Sequence, residues 1–202
     1  MVISGVEIIQ NEERGEIKKT IKLNNTAIFK KDKLMGWFDE KETRGLLWVL
    51  GKVKSGIIVL KSPQEETKKV GIEIIRASSI IKPQMEDGHL VITVEVKEVG
   101  NIGDQMSEQV DLTLPDTFEE LQRRQAAEIE SEINAALTKA QDWGLDIFKF
   151  GEAVHRKLPA EWVELKDNWD EELRNLEVTV EVDAEILRTG LTSKPVQAKK
   201  KE

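Results

Sequence analysis

Hydrophobic and polar residues alternate most strictly near the end of the chain. Leu176, Val178, Val180, Val182, Ala184 and Ile186 hold one parity, and Glu177, Thr179, Glu181, Asp183 and Glu185 hold the other. That two-residue period predicts a strand with one face on a core and one in water, the habit of antiparallel sheets. His89 to Val99 repeats the pattern, with Leu90, Ile92, Val94 and Val96 against Val91, Thr93, Glu95 and Lys97, and the Asp87-Gly88 pair before it predicts a tight turn. Less regular apolar runs predict strands over Val2–Gln10, Thr26–Phe29, Gly56–Lys61 and Val70–Ile81. Turns are expected near Arg14-Gly15, over Lys30–Lys33 leading into Leu34-Met35-Gly36-Trp37-Phe38, and at Ser62-Pro63-Gln64-Glu65.

The period lengthens elsewhere. Asp39 reads as a helix N-cap with Glu42 three positions on to complete a capping box, and the helix carries Leu46, Leu47, Val49 and Leu50 to a stop at Gly51. Pro115-Asp116-Thr117 opens a long helix to about Trp143, with Phe118, Leu121, Ile129, Ile133, Ala136 and Ala140 as its apolar stripe and Gly144 as its end. Glu119 with Arg123 and Glu120 with Arg124 stand four apart on its solvent side. Further helices are expected over Asp146–Lys157 and from Ala160 to about Leu173, with Pro159 between them as a breaker.

Strands that bury one face and helices that bury one stripe fit a two-layer α+β body. We expect a single domain over residues 1–188, built on a mainly antiparallel sheet with helices on one face; mixed pairing stays open, because the first helix could join two parallel strands. Residues 189–202, with Gly190 and four lysines nearby, are expected to be a disordered tail.

Composition narrows the function. With 30 basic and 38 acidic residues the net charge is -8, which argues against a nucleic-acid binder. No apolar run reaches the roughly 20 residues of a spanning helix. The absence of cysteine excludes disulfides, thiol catalysis and Cys-ligated metals. The first residues carry no secretory signal, so the chain is expected to be either cytosolic or a soluble piece of something longer.

Candidate chemistry is sparse. His89 and His155 lie far apart, and neither sits in a nucleophile or metal motif. The acidic parity of the last strand (Glu177, Glu181, Asp183, Glu185) makes a flat ladder rather than the cage a hard cation needs, so a solvated face is the expectation. Phosphate loops, dinucleotide fingerprints and nucleophile elbows are missing. No catalytic, cofactor or metal residue is assigned. Trp37, Trp48, Trp143, Trp162 and Trp169 stand out instead. Trp162 and Trp169, seven apart, share a helix face, either anchoring that helix on the sheet or reaching the surface as interface anchors. Glu42 and Arg44 are read either as a cap partner and a solvated residue or as a buried or interfacial ion pair.

The run from Thr26 through Phe29-Lys30-Lys31-Asp32-Lys33-Leu34-Met35-Gly36-Trp37-Phe38-Asp39-Glu40-Lys41-Glu42-Thr43-Arg44-Gly45 to Val49 resembles the C-terminal domain of spore germination lipoproteins, the GerAC/GerBC-like C subunits of nutrient germinant receptors. Leu145-Asp146-Ile147-Phe148-Lys149-Phe150-Gly151, His155, Pro159, Trp162, Trp169 and the alternating strand up to Gly190 extend the resemblance in the same order. Phe148-Lys149 departs from it, since the family usually has a smaller or more flexible residue there. The resemblance implies a non-enzymatic domain cut from a longer lipoprotein, lipid-anchored on the outer face of the spore inner membrane. Its implied partners are the membrane-embedded A- and B-type receptor subunits. Protein–protein docking or signalling is the function expected, through Trp37, Glu42, Arg44, Trp162 and Trp169. The alternative is a small-molecule domain that binds germinant directly. A hydrolase using Glu42 or His155 is the remote third reading.

Overall fold

A computed structural model describes residues 2–13, 16–107, 111 and 114–187. Among these described residues, seven strands and five α-helices follow in the order β1 (Val2–Glu13), β2 (Glu16–Lys30), β3 (Lys33–Phe38), α1 (Glu40–Val49), β4 (Ile57–Lys61), β5 (Lys69–Glu86), β6 (His89–Gln105), α2 (Pro115–Trp143), α3 (Phe150–Lys157), α4 (Pro159–Leu165), α5 (Trp169–Asn175) and β7 (Glu177–Leu187). A single 3-10 turn, Lys166–Asn168, separates α4 from α5. The class is α+β, as the two periodicities required, and the strands divide between two sheets: an antiparallel β1-β2-β3 and a mixed β4-β5-β6-β7.

Local chemistry explains most boundaries. Asp39 and Glu42 close the expected capping box: the Glu42 amide donates to Asp39 Oδ1 and the Asp39 amide to Glu42 Oε2, both at 2.8 Å. Gly51 takes the left-handed conformation two residues past Val49, the last residue of α1. The β5–β6 turn sits on Asp87 and Gly88, both at positive φ as a two-residue hairpin turn requires. On α2, Arg123 and Arg124 both bind Glu120, and the Arg124 hydrogen bond leads in holding that carboxyl below its usual range. The turn expected at Arg14-Gly15 and the tail at 189–202 lie outside the described residues; the flanking Glu13 and Glu16 pair across β1 and β2.

The chain forms two compact units. The first takes in Met1–Leu47, Pro83–Ile92 and Glu132–Val178, and the second Trp48–Lys82, Thr93–Ser131 and Thr179–Glu202. In the first, Ile28, Phe38, Leu46, Ile133, Ala136, Phe148, Phe150, Val154 and Leu173 are buried. In the second, Trp48, Ile58, Ile72, Val94, Val96, Leu121 and Ile129 are buried, each such side chain contributing on the order of 2 kcal/mol.

Several boundaries differ from the sequence expectation, and strands β1, β5 and β6 run on past their expected ends to Glu13, Glu86 and Gln105. The strand expected at Thr26–Phe29 begins ten residues earlier, because β1 supplies a partner all the way to Glu16. Helix α3 begins at Phe150 rather than Asp146, since Lys149 takes a left-handed backbone conformation and Asp146 caps the helix from outside. The helix expected from Ala160 to Leu173 is broken at Lys166–Asn168.

Candidate functional site

The expected interaction residues all lie in the first unit. Their placement follows from the register of the three-stranded sheet. Ile3 pairs with Ala27 and Ala27 with Trp37, so these three form one row on one face; Val2, Ile28 and Gly36 form the next, on the other. The second face is covered except at Val2, which is 41% exposed. Thr26, Ile28 and Phe38 are buried, the Trp143 ring lies against Gly36 and tilts on Phe38, and Thr43 Oγ1 donates to Thr26 Oγ1 at 3.0 Å.

The first face is open. Ile3 is 47% exposed and Trp37 49%, and the small Ala27 between them is hidden by its neighbours. A bulge after Ile28 adds to the patch. It pairs Leu34 with Phe29, whose parity matches Ala27, so Leu34, 42% exposed, joins Trp37 on the outer face. Exposed Lys31 and Lys33 stand beside it at the β2–β3 turn. Ile3 and Leu34 were not singled out from sequence, because only strand pairing reveals them as neighbours of Trp37.

Glu42 and Arg44 form the framework behind this sheet. Glu42 accepts from Lys139 Nζ at 2.7 and 2.8 Å, and that ammonium also stands 5.6 Å from the centroids of the Phe38 and Trp143 rings. Arg44 grips Glu132 with two nitrogens, Nε at 2.7 Å from Oε2 and Nη2 on Oε1. Each therefore has its acid or base partner on α2. Glu132 is 1% exposed and the Arg44 side chain 34%, so this is a bidentate clamp buried on its carboxylate side.

Trp162 and Trp169 build a second cluster. Their rings meet edge to face at 5.1 Å, and the His155 ring tilts against Trp162 at 5.9 Å. Both tryptophans are half-buried and rest on Gly151 of α3, where a Cβ would come within 2.8 Å of Trp162 and 2.9 Å of Trp169. The sheet and the surface were the two seats expected for them; the rings pack on α3 and stay half-buried. Asp146 ties the cluster down, accepting from the amides of Phe150 and Gly151 at 2.8 and 2.7 Å and from Trp169 Nε1 at 3.0 Å. Lys30 reaches Asp170 from β2. Asp146 escaped the sequence reading, where it stood as an ordinary helix residue.

The remaining candidates gather no chemistry. His89 and His155 are exposed on separate elements. Glu177, Glu181, Asp183 and Glu185 are exposed along β7, and among the described residues no group of three or more His, Cys, Asp or Glu side chains is placed to hold a metal ion.

Residues 24–190, which include Trp37, Glu42, Arg44, Trp162 and Trp169, match the family profile described as "Spore germination B3/ GerAC like, C-terminal". The chain belongs to this spore germination family. Among its curated relatives from Bacillus subtilis (strain 168), spore germination protein KC is 27% identical over 94% of this chain and 46% of its own length. Spore germination protein B3 is 21% identical over 94% of this chain and 49% of its own length. The chain thus spans about half the length of the curated relatives it matches. The crystal structure of the GerBC protein superposes with a TM-score of 0.73 at 21% identity, covering 92% of this chain and 57% of that one, which places both in the same fold. These relatives carry the names of germination proteins rather than of enzymes. Among the described residues, no helix is long and apolar enough to cross a membrane.

Proposed function

We propose that this domain acts in spore germination as a protein–protein docking or signalling module, presenting the outer face of its three-stranded sheet to another subunit of a nutrient germinant receptor. One observation carries the reading: Trp37, Ile3 and Leu34 stay exposed on one sheet face, while the opposite face is buried at Thr26, Ile28 and Phe38. Contiguous exposed aromatic and aliphatic groups mark interaction sites, and tryptophan is the residue most enriched among interface anchors. Exposed Lys31 and Lys33 supply a polar rim. In this reading Glu42 and Arg44 position β3 and α1 from behind, and Trp162 and Trp169 stiffen the helical part of the same unit.

The partners are the membrane-embedded A- and B-type subunits, which the domain meets on the outer face of the spore inner membrane as part of a lipid-anchored longer protein. No reaction chemistry is assigned to it. The test is to replace Trp37 with Ala and Leu34 with Ser in the full-length protein, then measure recovery of the complex and nutrient-triggered germination. The proposal expects both to fall while the folded chain persists. Normal values for both would overturn it.

A further inference from the structure

The two edges of the four-stranded sheet are treated differently. One edge is β4, five residues long. It carries Lys61, and Arg124 of α2 donates to the carbonyl oxygens of Lys61 and Ser62 at 3.3 and 3.4 Å. Shortness, a lysine and a helix side chain laid on the carbonyls are ordinary ways to close an edge. The other edge is β7, eleven residues long with no proline, glycine, lysine or arginine. Strands are usually about half that length.

Strand β7 has β6 on one side, and among the described residues no strand lies on the other. Ile186 shows which amides face outward: its N–H donates to Gln122 Oε1 of α2 at 3.1 Å rather than to β6. Peptide groups alternate sides along a strand, so the amides of Val180, Val182 and Ala184 leave on that same outer edge. Their side chains are only half-buried, while Glu181, Asp183 and Glu185 of the opposite parity are exposed and form no ion pair among the described residues.

Charge decides what can lie there. The three carboxylates stand on one face, each roughly 7 Å from the next. The outward amides belong to even positions, so a second β7 would pair even with even and odd with odd. That sets carboxylate opposite carboxylate, which is destabilising. An extended segment with lysine or arginine at alternate positions makes each opposition an attraction of roughly 0.2–1 kcal/mol instead. Its intervening apolar residues would cover Val180, Val182 and Ala184.

We infer that the outer edge of β7 accepts an extended, alternately basic and apolar segment of a partner protein as an added strand. The inference stands apart from the docking proposal, because it uses the other unit and backbone pairing rather than an apolar sheet face.

An eight-residue peptide alternating lysine and valine is the probe, titrated against the whole chain by fluorescence anisotropy while NMR follows amide hydrogen exchange. Saturable binding with a Kd below roughly 1 mM is expected, with the Val180, Val182 and Ala184 amides protected roughly tenfold or more. A glutamate–valine peptide should bind at least roughly tenfold more weakly through like charge. The lysine–valine peptide N-methylated at its valines should lose as much, because its backbone donors are gone. The variant Glu181→Lys/Asp183→Lys/Glu185→Lys should reverse the preference between the two charged peptides. Its three positions are exposed, so circular dichroism should show the fold retained. Absence of saturable binding would overturn the inference. So would equal binding of the N-methylated peptide, or an unchanged preference in the triple variant.

Discussion

The backbone carbonyl oxygen of Glu132 occupies the space in which a Cβ on Gly45 would stand. Helix α1 therefore crosses α2 at a distance only glycine permits, and Arg44, the preceding residue, reaches the Glu132 side chain from that crossing. In an exposed helix, replacing glycine by alanine stabilises by about 1 kcal/mol. Here the added methyl meets a backbone atom that cannot swing aside, and the next atoms it meets are the Glu132 carbonyl carbon and the Ala136 Cβ. Gly45→Ala is expected to reverse the usual sign and destabilise the chain by roughly 2–3 kcal/mol. Thermal and denaturant unfolding will read it; an unchanged or raised midpoint would contradict the close crossing.

The Arg44–Glu132 clamp predicts an asymmetry. Arg44→Ala removes two bonds from a carboxylate that is 1% exposed and should cost roughly 3 kcal/mol. Replacing both partners with apolar residues, Arg44→Met with Glu132→Leu, should restore much of that loss, because no buried charge then remains. Unfolding of the two single variants and the double variant, read as a cycle, checks this.

Asp146 holds the tryptophan cluster through three accepted hydrogen bonds. Asp146→Ala should destabilise by roughly 2–3 kcal/mol and loosen the Trp169 indole, visible as altered tryptophan fluorescence. Asp146→Asn keeps one acceptor oxygen and should be milder. Equal behaviour of the two would show that the carboxylate bonds contribute little.

Burial raises the Glu98 carboxyl from the usual 4.5 to about 7, against a smaller opposing effect of the Gln125 hydrogen bond. Glu98 Oε1 and Gln125 Oε1 are both buried without a hydrogen-bond partner, and a proton on the carboxyl supplies the donor that this group of acceptors lacks. The folded state thus favours the neutral acid. Its contribution is fully present below about pH 4.5 and is lost as the pH rises through about 7. Between about pH 5 and pH 8 the chain should lose roughly 2–3 kcal/mol relative to Glu98→Gln, which cannot titrate. Parallel pH profiles for the two proteins would rule this out.

The features legible in sequence were those with local causes. Helix α2 ends where Pro115 and Gly144 place its ends, Asp39 and Glu42 form their box, and β7 follows its alternation. Features fixed by distant partners were not legible. The division of strands between two sheets, the early start of β2 and the exposed row Ile3–Ala27–Trp37 all depend on pairing, which local periodicity does not encode. The same limit applied to the site. Glu42 and Arg44 stood out in sequence, but their partners Lys139 and Glu132 lie 97 and 88 residues away. The break before Trp169 has no proline or glycine to announce it, since Lys166, Asp167 and Asn168 are ordinary helix-compatible residues apart from the turn preference of the last two.

The docking account rests on Trp37 serving recognition rather than packing. The most direct measurement pairs stability with complex recovery in the full-length protein carrying Trp37→Ala and Leu34→Ser. The account predicts stability within about 1 kcal/mol of the parent, as befits exposed positions, together with loss of the receptor subunits from the purified complex and a failed response to nutrient. Full recovery of those subunits with normal germination would contradict it.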